Sequence, residues 1–455
     1  MTSAYLDKEY DFVVNINTAD TFIKVIECID DMLPATIFPE KVAELWKTII
    51  EISMMVTLIE QDELAYIQLS QVRDYLAKIG VLGLVTPDAI VWKVVNFIRA
   101  LDGHNVSIIA EALSLMSDTS FEKCREDVYQ YLNYTSKKVV VLIDSLDEYK
   151  LNAEVTGSIA GLLKCVGTFN SRQHCADIRL CIPAELYHVF SSASSNPAKD
   201  FSSEVLLHWH PRELIVLACR RFQLYLHLYY PYYYETYANR DYIQFDQSLG
   251  ILEEFIPSEI SNGLNFTERT IVYLLRHTQL LPRHLLLILN SVFRHKRYST
   301  GRPKVNRDDI VKGVAASESL LTDEIFTSYK HVYRNAKRFM ERCIPELPFR
   351  FEHSMLAEVF EKVVKDIYDD DIHAFTRMLI EIGILGKYIR SEGGYHEALF
   401  EYTVSNQLHF SLTDSFCIHP LFLNKFSAGY DASDHVTVYP YGTNPYTDED
   451  YRLMF

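Results

Sequence analysis

Val139 to Ile143 form an unbroken apolar run, VVVLI, that ends on Asp144 within the stretch KKVVVLIDSLDEYK. A short run that is apolar at every position reads as a strand buried on both faces, the kind found in parallel sheets covered by helices. Asp147 and Glu148 follow directly. In open α/β sheets, ligands sit outside the carboxyl ends of the strands. One carboxylate placed there can hold Mg²⁺, and another can orient or deprotonate water for attack on a γ-phosphate. The glycine-rich phosphate loop that would complete such a site, GxxxxGK[ST], occurs nowhere in the 455 residues. The single Gly-Lys pair, Gly386-Lys387, is not followed by Ser or Thr. The chain shows half of a nucleotide site.

The surrounding pattern supports the strand. Asp11 to Asn17 (DFVVNIN) reads as a first strand, with Thr18 or Asp20 capping a helix whose apolar stripe includes Phe22, Ile23, Ile26 and Ile29. Helical periodicity follows from about Pro39 to Leu82, from Pro87 to Arg99 and from Val106 to Tyr131. After the acid-tipped strand come a helix over Val155 to Phe169, a strand over Ile178 to Ile182, a Ser-rich loop over Ser191 to Ser203 and a third buried-type strand, VLLHW, over Val205 to Trp209. Pro211 opens a long helix, where its missing N–H is not needed. Alternating strands and helices imply a parallel sheet flanked by helices.

Tyr229 to Tyr242 is dense in tyrosine around Pro231, and a loop or lid is expected there, with its rings packing more than stacking on a base. The chain reads as helical from Thr267 to about Arg297 and again over 304–345. Two or three helices follow over Glu352 to Gly386, the last led by Asp369, Asp370 and Asp371, which suit a helix N-terminus. Short strands are expected at Lys387 to Arg390, Leu399 to Val404 and Phe416 to His419, so helices followed by a β-ribbon suggest a winged helix. Beyond Ser427 no periodicity remains.

Composition sets limits on partners. The net charge of -17 repels phosphate backbones and anionic membranes at long range. The eight cysteines form no CxxC and no zinc spacing, so they read as reduced core residues. No apolar run approaches the roughly 18 residues of a membrane span. A soluble, cytoplasmic protein is expected.

VLIDSLDE resembles the Walker B strand of STAND ATPases, NACHT-type modules among them, and of origin-recognition-type AAA+ ATPases. Other segments follow that template in order. Ile178 to Pro183 sits where a sensor 1 strand would be, VLLHWHPRELIVLACRRF resembles the final core strand and its helix, and Leu281-Pro282-Arg283-His284-Leu285 resembles the sensor 2 region of a helical lid. A winged helix ending in Ile418-His419-Pro420-Leu421-Phe422 fits bacterial STAND-like proteins.

The resemblance implies a P-loop NTPase-type core over 1–228, with a helical insert over about 39–131, a helical lid over 229–345, a winged-helix domain over 346–425 and a loose tail over 426–455. It implies ATP and Mg²⁺ as cofactors, Asp144 as the metal-side acid, Asp147 or Glu148 as the water-orienting base, and Arg283 on the β/γ-phosphates. The function it implies is an ATP-controlled regulatory switch in bacterial signalling or defence; because the chain lacks the lysine and backbone cradle that hold the phosphates, hydrolysis is expected to be weak or absent.

The departure is at the front, where the family places a strand and the P-loop. That strand would be central, between the Walker B-side strands and the last one. An internal methionine of a longer protein, a second chain supplying the part, or a degenerate non-hydrolysing relative would each account for this. The first is expected, because a lost central strand leaves ladder groups unpaired.

Two other readings compete with the switch. One is a non-catalytic scaffold on a degenerate ATPase fold, binding a protein partner or itself. The other is a nucleic-acid-binding regulator using the winged helix and the basic segment Arg294 to Arg307. The acidic helix DDDIHAFTRMLIEIG is a poor partner for a phosphate backbone. His208 and His210 share a strand face but lack a third ligand, so packing or capping is expected of them.

Overall fold

The computed structural model describes residues 9–17, 38–84, 119–144, 153–170, 175–183, 187, 205, 207–238, 240, 244–261, 267–296, 301–368, 370–392, 394–404, 407–429 and 437–446. The chain divides into two compact units, Met1–Glu204 and Val205–Phe455. Both are α/β.

In the first unit, β1 (Phe12–Asn17), β2 (Val139–Asp144) and β3 (Ala176–Leu180) form a parallel sheet in the order β1-β2-β3. Phe12 stands opposite Val139 and Asn17 opposite Asp144, while Ile143 stands opposite Leu180. Val139 to Ile143 are buried throughout, as a central strand covered on both faces requires. Tyr10, Val13, Val140 and Leu142 cluster on one face. The helix α1 (Phe38–Gln61) packs along the later α5 (Ala153–Asn170), and both touch the sheet. Between α1 and α5 lie the short α2 (Glu63–Gln68) and α3 (Ser70–Lys78) and then α4 (Thr119–Thr135). Asp62 caps α2 and also holds Lys137 and the Tyr131 hydroxyl, which ties the loop before β2 to the helices.

The expected strand at Ile178 to Ile182 is shifted to Ala176–Leu180. The helices expected at Phe22 to Ile29 and Pro87 to Arg99 lie outside the described residues, as does the Ser191 to Ser203 loop. The strand expected at Val205 to Trp209 is not formed at the described positions of that segment. Val205 and Leu207 are 75% and 84% exposed, so their apolar character does not place them in a core. The segment instead leads into a capping box: the His210 side chain accepts from Arg212 N, and Glu213 accepts from the His210 amide.

The second unit begins with α6 (Pro211–Tyr229), whose Leu214, Ile215, Ala218, Cys219, Phe222 and Leu226 face its core. Within the Tyr-rich segment, Pro231–Tyr237 form a helix, α7, rather than a loop, because Pro231 supplies the fixed φ of a first helical turn, while 239, 241 and Tyr242 lie outside the described residues. Tyr230 and Tyr237 are buried there. Next come α8 (Phe245–Glu253) and the paired strands β4 (Glu259–Ser261) and β5 (Thr267–Arg269). The expected continuous helix from Thr267 therefore starts extended. It is also split into α9 (Thr270–Leu275) and α10 (Pro282–Phe293) by a break where Leu280 takes φ 52°.

The helices α11 (Arg307–Ser328) and α12 (Ala336–Cys343) lead to β6 (Arg350–Glu352), α13 (His353–Val359), α14 (Ile372–Glu381) and the antiparallel pair β7 (Leu385–Glu392) and β8 (Tyr395–Leu399). Asp371 caps α14 by accepting from Ala374 N. The strand expected over Leu399 to Val404 lies earlier, as β8, and 401–403 form a 3-10 turn. β9 (Ser415–Ile418) inserts between β7 and β6. After the short α15 (Pro420–Leu423), β10 (Thr437–Pro440) pairs parallel with β8 to complete the sheet order β10-β8-β7-β9-β6. The tail expected to be loose thus contributes a fully buried strand, with Val438 and Tyr439 in the core. Among the described residues no helix is long and apolar enough to cross a membrane.

Candidate functional site

Asp144 is the last residue of β2 and is exposed at the carboxyl end of the sheet. The buried run before it fixes its backbone, because Val139 to Ile143 can exchange ladder bonds on both sides while their side chains fill both faces. Cys181, which follows β3, donates its amide to Ile143 O at 2.9 Å. The Cys181 thiol is pushed up by desolvation and, secondarily, by the Asp144 carboxylate. The carboxyl ends of the three strands therefore bring together Asn17, Asp144 and Cys181. Asp147 and Glu148 lie outside the described residues. Arg283 belongs to the second unit, in the first turn of α10, where it is 75% exposed and pairs with Glu324 at 2.7 Å. An exposed pair of this kind contributes at most about 1 kcal/mol.

The outer edge of β3 carries a feature that motif reading missed. Asn170, the final residue of α5, turns its side-chain amide along that edge. Its Nδ2 donates to Ile178 O at 3.0 Å, and Ile178 N donates to its Oδ1 at 2.8 Å. The amide satisfies both backbone groups of Ile178 as a neighbouring strand would. A polar residue closing an apolar helix, six positions before a strand, was the available signal.

A second constellation lies wholly inside the second unit. Arg276 and Glu268 form a bidentate pair, Nε to Oε2 and Nη2 to Oε1, both at 3.1 Å, with side chains 5% and 1% exposed. Burial opposes the Arg276 charge, and Glu268 more than offsets it, so its pKa is raised. The Tyr395 hydroxyl donates to Glu268 at 3.0 Å. His277, His284 and His419 lie buried in the same unit. His277 is held well below its usual range by burial and by Arg276. Burial chiefly lowers His284 to about 4 and His419 to about 3. His419 Nδ1 accepts from Leu421 N at 3.1 Å, so the neutral ring carries its proton on Nε2, 2.8 Å from the Tyr402 oxygen. Glu318 on α11, bonded by Asn424 at 3.1 Å, is pushed up to about 7 by burial. Its hydrogen bonds close on protein groups, which suits a structural network. The residues are spread from 268 to 424, which hides them from motif reading.

The basic segment is largely consumed by the fold. Arg302 bonds Glu254 and the Tyr237 hydroxyl, Lys296 pairs with Asp309, and Arg307 binds Ser261 O. Arg297 lies outside the described residues. Among the described residues no group of three or more His, Cys, Asp or Glu is placed to hold a metal ion. No family model, curated protein or solved structure matches the chain.

Proposed function

We propose that this chain is a protein-interaction module built on an NTPase-like α/β core, with no nucleotide hydrolysis of its own. One observation carries the reading. In the ATPases that the chain resembles, the strand bearing the phosphate loop would lie beyond the sensor 1 strand, which corresponds to β3. At that edge both backbone groups of Ile178 are bonded to Asn170. A strand pairing there would have to displace the amide. The chain also carries no GxxxxGK[ST] to cradle phosphates, and Arg283 is engaged by Glu324.

The order α12, β6, α13, α14, β7, β8 supports a winged-helix reading of 346–425, and it supports a protein partner over a nucleic acid. Phe410 lies across α14, stacked on His373 at 4.8 Å and beneath Arg377 at 5.1 Å. Arg377 is 3.9 Å from Glu401. The helix that would enter a groove is thus covered on that side and led by Asp370 and Asp371. On the hairpin, Arg390 is taken up by Glu392 and Glu397.

The ATP-controlled switch is the second reading. Asp144, exposed at the carboxyl end of the sheet and opposite Asn17, favours it. Calorimetric titration of the purified chain with Mg²⁺-ATP separates the two. No saturable binding tighter than about 1 mM is expected. Mg²⁺-dependent binding that disappears in Asp144→Asn would overturn the non-catalytic reading.

A further inference from the structure

We infer that the outer face of α6 is a docking surface for an acidic amphipathic helix of a partner protein. The helix buries Leu214, Ile215, Ala218, Cys219, Phe222 and Leu226 on one side. At about 100° per residue the opposite side presents Arg220, Arg221, Leu224 and Leu228. Both arginines are exposed, and Leu224 and Leu228 are 52% and 70% exposed. In the next helix, Tyr232 is 82% exposed. Leu224 and Leu228 thus stand one turn apart on the solvent side of the helix, flanked by the two arginines.

Charge complementarity identifies the occupant. Among the described residues neither Arg220 nor Arg221 has a side-chain ion pair or hydrogen bond. Two guanidinium groups without a partner among the described residues, beside two leucines, match a helix whose apolar seam is flanked by Asp or Glu. An anionic bilayer is the weaker fit. Two cations fall short of the clusters of about four to eight that hold a segment on such a surface. From Arg220 to Leu228 the face spans about 12 Å, so the contact is short and its affinity on the order of micromolar.

The inference rests on the interaction-module reading but stands apart from it experimentally. Nucleotide binding at Asp144 would remove that reading and leave this face as it is. The probe is a fluorescein-labelled peptide of about 18 residues with a leucine seam flanked by glutamate, and a twin in which lysine replaces glutamate. Fluorescence anisotropy should show the glutamate peptide binding about tenfold or more tighter than its twin. Arg220→Glu with Arg221→Glu should reverse that preference, and Leu224→Ser with Leu228→Ser should weaken both peptides about tenfold. Because all four side chains are exposed, thermal unfolding should not change. Hydrogen exchange should show protection by the glutamate peptide over 217–232. Equal affinity for the two peptides, indifference to arginine reversal, or protection elsewhere would overturn the inference. So would binding to phosphatidylserine vesicles with the same dependence on the four residues.

Discussion

Replacing Glu318 with Gln should stabilise the second unit at alkaline pH, and by an amount that fades as the pH falls. Glu318 is 5% exposed, and burial pushes its carboxyl from 4.5 to about 7, against the opposing pull of Asn424 and Arg276. A folded-state pKa above the unfolded one means that the folded protein holds the proton more tightly. The associated stability is present below about pH 4.5 and is lost as the pH rises towards 7. At about 1.4 kcal/mol per pH unit the loss approaches 3 kcal/mol. Glutamine keeps an oxygen for Asn424 and carries no charge, so the variant should be more stable by about 3 kcal/mol at pH 8, or roughly 6–12 °C in Tm for a unit of this size. His284 and His419 work in the other direction. Their depressed pKa values give stability that is present above about 6.5 and is lost as the pH falls towards 4 and 3. Two such histidines, with His277 of the same sign, outweigh one glutamate, so the native unit should weaken below pH 6.5 and the variant more steeply. Urea unfolding read by hydrogen exchange over 307–328, at pH 8 and pH 5, isolates this unit. Equal stability of the two proteins at pH 8, or an advantage undiminished at pH 5, would refute the reasoning.

Arg276→Met leaves the Glu268 carboxylate buried beside Tyr395 and should cost about 3–5 kcal/mol, read by urea unfolding. The double variant Glu268→Leu with Arg276→Met should recover a large part of that loss, and a double variant as unstable as the single one would count against the pairing. Val438→Asp places a charge at a fully buried position of β10 and should cost about 4 kcal/mol, read as new proteolytic cleavage near β10. Calorimetry of Asp144→Asn with Mg²⁺-ATP should show no saturable binding, as for the native chain, and saturable binding by the native chain alone would count against the non-catalytic reading.

What the sequence made legible follows from local constraint. VVVLI has one stable environment, between two strands and under helices, and β2 occupies it with Asp144 at its tip. Pro211 and the His210 capping box likewise mark the start of α6. VLLHW misled because apolarity was equated with burial, and Val205 and Leu207 are exposed. The tyrosine-rich segment misled because Pro231 reads equally as a turn residue and as a helix start. β10 has no local signal, since its register is set by β8, some forty positions earlier. Of the candidate site, Asp144 lies where the motif placed it, at the carboxyl end of the sheet, while Arg283 sits on an exposed face paired with Glu324. The side-chain cap at Ile178 depends on the meeting of a helix end with a strand edge, which no motif encodes.

That cap is where the functional reading is most exposed to test. Amide hydrogen exchange at Ile178, compared between the native chain and Asn170→Ala, measures it directly. Two hydrogen bonds to a buried strand should hold the native amide in slow exchange, and the variant should lose about 1–3 kcal/mol of protection there while β2 keeps its own. Fast exchange at Ile178 in the native chain would mean that the β3 edge is open, protection unaffected by Asn170→Ala would mean that something else closes it, and in either case the argument from the Asn170 cap would fall.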